Sequence, residues 1–98
     1  MIRRLVHMEF APEHVETFLE LFHSVSDAIR SVDGCHELTL LQELDHPGRM
    51  TTYSLWENEA ALEAYRNSEL FRATWARTKV LFSARPSASS YRIMAHKD

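Results

Sequence analysis

Residues 49–71 read RMTTYSLWENEAALEAYRNSELF, and the changes of pattern inside this stretch decide the fold. Arg49 to Trp56 is rich in Thr, Tyr and Trp, residues that suit a pleated, half-buried surface, and it reads as a strand. At Asn58 the pattern changes. Its side chain can cap a helix, and Glu59 then falls in the first turn, where the positive end of the helix dipole favours a carboxylate. Ala61, Leu62 and Tyr65 form a short apolar stripe, which Asn67-Ser68 interrupts. Ser68 can cap a further helix carrying Phe71, Trp75, Thr78 and Phe82. The expectation is a strand followed by a broken helix.

Working backwards, Asp45-His46-Pro47-Gly48 has the composition of a turn. Cys35 to Leu44 before it reads as a strand, with Leu38, Leu40, Gln42 and Leu44 on one face and Glu37, Thr39, Leu41 and Glu43 on the other. A four-residue turn between two strands implies an antiparallel hairpin. Further back, Pro12 suits a first helical turn, and Val15, Phe18, Leu19, Phe22, Val25, Ile29 and Val32 recur at steps of three and four. Gly34 stands where a left-handed stop is wanted. Arg4 to Phe10 alternates as a strand, with Val6, Met8 and Phe10 on one face and Leu5, His7 and Glu9 on the other. Forward of the broken helix, Pro86 and Ser87-Ala88-Ser89-Ser90 read as a connector. Tyr91 to His96 reads as a last strand, and Lys97-Asp98 as tail.

The order is β-α-β-β-α-β, the ferredoxin-like arrangement of the α+β class: an antiparallel four-stranded sheet with helices on one face, in a single domain over residues 1–98. Leu5, Leu41, Tyr53 and Leu55 then fall on the other face, which is too apolar for water, and a homodimer is expected.

Composition narrows the function classes. The chain has 98 residues, 45% of them hydrophobic and 26% charged, as in an ordinary globular domain. Eleven Lys and Arg against fourteen Asp and Glu give −3, not the basic excess of a nucleic-acid binder. A lone cysteine, Cys35, allows no internal disulfide and no Cys-rich zinc site, and is read as an inert buried thiol. No apolar run approaches the ~20 residues of a membrane span, and the start of the chain does not read as a signal peptide. A cytoplasmic protein without nucleic-acid or membrane partners is expected.

The run Tyr53-Ser54-Leu55-Trp56-Glu57-Asn58-Glu59-Ala60-Ala61-Leu62-Glu63-Ala64-Tyr65, continuing through Asn67-Ser68-Glu69-Leu70-Phe71, resembles the antibiotic biosynthesis monooxygenase domain. The strand-ending Trp-Glu, the small and acidic residues after it and the Ser before a Phe carry the likeness, which extends over essentially the whole chain. The resemblance implies a dimeric α/β barrel and a cofactor-independent oxygenase of a phenolic, anthrone or quinol-type aromatic substrate. Polyketide oxygenases of this family use an Asn, a Trp, a Tyr and an Arg. Trp56 matches the Trp, and Arg72 matches the Arg across a gap. Thr52 stands at the Asn position and Leu62 at the Tyr position, with Tyr65 one turn along. Haem-degrading members use an axial His where this chain has Trp75 and a Trp where it has Tyr65, so haem degradation is not expected.

Oxidation without a cofactor needs an apolar pocket, a proton acceptor and a donor to the developing oxyanion. The candidate substrate-binding residues are Phe22, Tyr65, Phe71 and Trp75, and the candidate catalytic residues are Trp56, Arg72 and His36. Core packing is the plain alternative for each aromatic, and a surface ion pair for Arg66 or Arg72. Among six histidines, His7 and His36 lie where a base could sit, although His7 shares a face with Leu5 and would then aim at the partner subunit. No pair of histidines is spaced for a metal, and no metal or other cofactor is expected. Two other functions fit the same scaffold: a non-oxidative isomerase or signalling-molecule-processing enzyme, and a small-molecule-binding barrel without catalysis.

Overall fold

The computed structural model describes residues 1–98. Strand β1 (Ile2–Glu9) leads through a 3-10 turn at Pro12–His14 into helix α1 (Val15–Arg30). The hairpin β2 (Cys35–Glu43) and β3 (His46–Trp56) follows, then α2 (Glu59–Arg66), α3 (Glu69–Lys79) and β4 (Ser87–Tyr91). The four strands form one antiparallel sheet in the order β2-β3-β1-β4, the ferredoxin-like topology.

Both expected caps are present. Asn58 Oδ1 accepts from the Ala61 N–H at 2.9 Å, and Ser68 Oγ accepts from the Phe71 N–H at 3.1 Å. Gly34 has φ +85°, and a Cβ there would stand 2.5 Å from the Ala61 Cβ. Only glycine both turns the chain out of α1 and lets the start of α2 pack down on that turn. The α1 stripe buries Phe18, Leu21 and Ile29; Leu21 lies outside the run of apolar positions read from the sequence.

Three boundaries differ from expectation. Asp45-His46-Pro47-Gly48 is not the turn. Glu43 already pairs with His46, so the turn is Leu44-Asp45, and Pro47-Gly48 sits in β3 where the register slips. The slip is held by Gln42 Nε2 donating to the Pro47 carbonyl at 2.9 Å and by the Phe10 N–H donating to the Gly48 carbonyl at 2.8 Å. Phe82 lies beyond the end of α3 and makes a single bridge to Phe10.

The last strand is Ser87–Tyr91, so the serine-rich connector is the strand and Tyr91–His96 is not. The Phe82 bridge and the Ser83 N–H donating to the Glu9 carbonyl at 2.9 Å set the chain beside the free edge of β1. The first extended residues after Pro86 then pair along that edge, from Ser87 opposite His7 to Tyr91 opposite Arg3. Backbone pairing overrides the weak strand preference of serine.

Only 11 of the 98 residues are buried, and seven of them form two separate clusters. One gathers Met8, Phe10, Phe18 and Met50; the other gathers Cys35, Trp56 and Leu62. The sheet face that bears Arg4, Val6, Met8, Thr52, Ser54 and Trp56 lies under the helices. On the opposite face, Leu5 pairs with Tyr53 and Arg3 with Leu55, with Leu41 opposite Thr51. Leu41 is half exposed there.

Candidate active site

Where the two clusters fail to meet, a cavity of about 400 Å³ opens between the sheet and the three helices. Its floor is Arg4, Val6 and Met8 of β1 with Thr52, Ser54 and Trp56 of β3. Phe22 comes from α1, Leu62, Tyr65 and Arg66 from α2, and Phe71, Thr74 and Trp75 from α3. All five aromatic residues named from the sequence (Phe22, Trp56, Tyr65, Phe71 and Trp75) line this one space.

Their rings belong to a continuous belt. Trp56 stacks on Tyr65 at 4.9 Å between centroids, and Tyr65 meets Phe71 edge-on at 5.3 Å. Phe71 lies parallel to Trp75 at 6.0 Å, and Trp75 meets Phe82 at 5.5 Å. Phe82, Phe10, Phe18 and Phe22 continue the series behind β1 and along α1. Offset and edge-to-face pairs at these separations add about 0.5–1.5 kcal/mol each beyond the area they bury. The belt is therefore a wall that holds its shape around an empty centre.

Two polar side chains of the wall have defined partners. Trp56 is wholly buried, and its indole Nε1–H donates to Ser54 Oγ at 2.9 Å, so this N–H is already engaged. Thr78 Oγ1 donates to the Thr74 carbonyl at 2.8 Å. Burial, with a smaller contribution from Cys35, pushes the Tyr65 phenol up to about 12. Tyr65 is thus a hydrogen-bond donor across the neutral range. Burial first, and repulsion from Arg66 second, hold Arg4 below the usual arginine range, with Glu63 opposing. Arg4 stays protonated at neutral pH all the same.

The other named residues lie elsewhere. Arg72 does not reach the cavity: its side chain is 63% exposed and faces Glu69 at 3.9 Å. Arg66, six residues earlier, lines the cavity and pairs with Glu63 at 3.5 Å. His36 is the extra residue of a bulge on the edge strand β2, between Cys35 opposite Trp56 and Glu37 opposite Leu55, and is exposed. A bulge turns its extra residue out of the ladder, so this histidine is not presented to the cavity. His7 lies on the outer sheet face, where Nδ1 is 2.9 Å from Thr51 Oγ1. Cys35 is buried behind Trp56 and outside the cavity lining. Burial pushes its thiol up, against its bond to the Glu37 carbonyl and the charge of Arg30.

Arg4 was not singled out from the sequence, although its parity places it there. It stands two residues before Val6 on the inward face of the strand. The lining holds no Asp, Glu, His or Lys, and its ionisable side chains are Arg4, Tyr65 and Arg66. Such a site can bind a flat apolar molecule, hold negative charge and donate a hydrogen bond. It has no side chain fitted to remove a proton at neutral pH.

Comparison with known proteins agrees with this architecture. The family model described as antibiotic biosynthesis monooxygenase matches residues 1–77. A conserved protein from Methanosarcina mazei Go1 superposes with a TM-score of 0.88 at 24% identity, over 93% of this chain and 90% of that one. An antibiotic biosynthesis monooxygenase superposes at 0.90 with 17% identity, over 97% of this chain and 100% of the other. Rv0793 from Mycobacterium tuberculosis superposes at 0.88 with 15% identity, over 99% and 98%. No curated protein matches the sequence significantly.

Proposed function

For a chain that belongs to the antibiotic biosynthesis monooxygenase family, we propose a cofactor-independent monooxygenase of a small aromatic substrate, of the anthrone or hydroquinone kind, acting as a homodimer in the cytoplasm. The observation that carries the reading is the cavity of about 400 Å³ lined by aromatic rings and furnished with two guanidinium groups and the Tyr65 phenol. A cavity of that size suits two or three fused rings.

An anthrone illustrates the balance. Its CH₂ carbon ionises to an enolate, and the enolate passes one electron to O₂. The radical pair combines to a hydroperoxide, and loss of water leaves a carbonyl. One oxygen atom ends in the product and one in water, and no external reductant is consumed. In this scheme Tyr65, Phe71 and Trp75 hold the ring system, with Trp56 stacked on Tyr65 to fix its position. The Tyr65 O–H donates to the enolate oxygen, and the arginines maintain a positive potential.

The isomerase alternative needs a group that moves protons between carbons, and the lining provides no carboxylate or imidazole for that work. The outer sheet face, with Leu5, Leu41, Tyr53 and Leu55, suits a second copy of the chain. Leu41→Glu should then leave a monomer by light scattering.

The test of the activity is oxygen uptake by purified, metal-stripped protein with a panel of anthrones and hydroquinones. Uptake well above the uncatalysed rate, reduced at least ~tenfold in Trp56→Phe, is expected; that is the scale of a lost stacking and positioning contact. No uptake with any of the panel would remove the oxygenase reading and leave the binding barrel.

A further inference from the structure

We infer that the ligand of this cavity is an aromatic carboxylate whose carboxylate group is held between Arg4 and Arg66. The inference rests on the aromatic-substrate reading above and specifies it. Arg4 rises from the sheet floor and Arg66 from the last turn of α2, so floor and helical wall each offer a guanidinium to the same space.

Arg4 has no ion-pair partner in the protein. Its hydrogen bond is from Nη1 to the neutral hydroxyl Ser90 Oγ, at 3.1 Å. A guanidinium at the edge of an apolar space normally finds a carboxylate there. Arg66 does have one, Glu63 at 3.5 Å, but that pair is about half exposed on both sides, and such surface pairs are weak and readily exchanged. Glu63 can neutralise at most one of the two cations, so the pair of guanidinia carries an uncompensated positive charge.

That imbalance is felt within the protein. Burial first and the charge of Arg66 second hold the Arg4 guanidinium down, with Glu63 opposing only in part, so a further anion between the two arginines would relieve both. Guanidinium is planar and donates from a fork that fits carboxylate oxygens two at a time. Fourteen of the 22 lining residues are hydrophobic, which fixes the rest of the ligand as an apolar body. A carboxylate attached to an aromatic ring system meets both demands. It is a handle for binding and orientation, and it takes no part in bond making.

The experiment uses two probes that differ only in this handle, naphthoate and naphthylmethanol, titrated against the fluorescence of Trp56 and Trp75, both of which line the cavity. Naphthoate is expected to bind at least ~tenfold more tightly, the scale of one charge-assisted hydrogen bond. Arg4→Gln and Arg66→Gln should each erase most of that preference while leaving naphthylmethanol binding unchanged, which also shows that the variant is folded. Glu63→Gln should widen the preference by freeing Arg66. Arg77→Gln, an exposed position outside the lining, should leave it as it was. Equal affinities, tighter binding of the alcohol, or a preference that survives both cavity arginine variants would overturn the carboxylate inference and leave the aromatic cavity standing. Binding of neither probe would overturn both.

Discussion

Ser68 is the residue through which the cavity wall can be loosened without touching the wall. Its hydroxyl donates to the Tyr65 carbonyl at 2.6 Å, closing α2, and accepts from the Phe71 N–H at 3.1 Å, opening α3. The break matters because of helical geometry. At about 100° per residue, positions six apart lie ~120° from one another around a continuous helix and ~9 Å apart along it. Tyr65 and Phe71 would then look in different directions. With the break between them, their rings meet edge-on at 5.3 Å over the cavity. Ser68→Ala removes the acceptor for one helix and the donor for the other. A lost N-cap costs about 0.5–2 kcal/mol, which lowers the midpoint of thermal unfolding by roughly 4–8 °C per kcal/mol in a domain this small. A drop of about 5–10 °C is therefore expected on those scales, with a several-fold weaker affinity for aromatic probes. Ser68→Asp separates the two roles, because a carboxylate accepts from Phe71 but cannot donate to Tyr65; it should recover most of the stability and less of the affinity. An alanine variant that melts within ~1 °C of the parent, or an aspartate variant as unstable as the alanine one, would refute this account of the break.

The Trp56–Ser54 bond is the second target: a double-mutant cycle of Ser54→Ala and Trp56→Phe should give a coupling of about 1–2 kcal/mol in urea unfolding, since the alanine leaves a buried indole N–H without its acceptor. A coupling under ~0.3 kcal/mol would mean that water replaces the serine. Gly34→Ala should cost about 2–4 kcal/mol, combining left-handed backbone strain with the contact on Ala61. Ala61→Gly in the same chain should return only the contact part, so full rescue would count against the backbone argument. Tyr65 titrates near 12 in the folded protein against 10.0 for an exposed phenol. The folded state therefore holds its proton more tightly, and its contribution is complete below pH ~10 and lost as pH rises towards ~12. Relative to Tyr65→Phe, the parent should lose about 2–3 kcal/mol across that window in urea titrations, and parallel curves for the two proteins would contradict it.

What could be read from the sequence was whatever is decided within a few residues. Asn58, Ser68 and Gly34 act on their own helix ends, so their chemistry is visible in the chain, and the helix break that shapes the cavity followed from them. Phe22, Tyr65, Phe71 and Trp75 lie on helical stripes visible in the chain, while the pocket role of Trp56 came from the family resemblance. The rest depends on pairing across the sheet. β4 is a strand because the edge of β1 was vacant where the chain returned, which Ser87-Ala88-Ser89-Ser90 alone does not announce. His36 faces outward because of a bulge set by the register of β2 against β3. Arg72 was matched through the resemblance across a gap; Arg66 at the end of α2 lines the cavity and Arg72 on α3 does not, which only the placement of α3 after the break decides. Arg4 was legible from strand parity, but a charge among Val6, Met8 and Phe10 acquires meaning only once the space above it is known to be empty.

On the proposed oxygenase reading, the make-up of that space also decides where the substrate's proton goes. A phenol or anthrone moved from water into apolar surroundings ionises less readily, by up to 3–5 pKa units when fully buried. A neighbouring guanidinium at ~4 Å offsets about 4 kcal/mol of this at an effective dielectric of 20, roughly 3 units. Once a carboxylate occupies Arg4 and Arg66, that compensation is largely spent on the handle. Tyr65, protonated up to about 12, is then the donor left for the oxyanion. With no carboxylate or imidazole in the lining, the proton leaves to solvent and the substrate's own acidity sets the population that can react. Across a series of substituted anthrones and hydroquinones, kcat/KM should fall as the substrate pKa rises, and each pH profile should turn over at a pH that tracks its substrate. A common inflection near pH ~6.5 for every member of the series would instead reveal an imidazole base, and would mean that a histidine reaches the cavity from another subunit or after a rearrangement of this one.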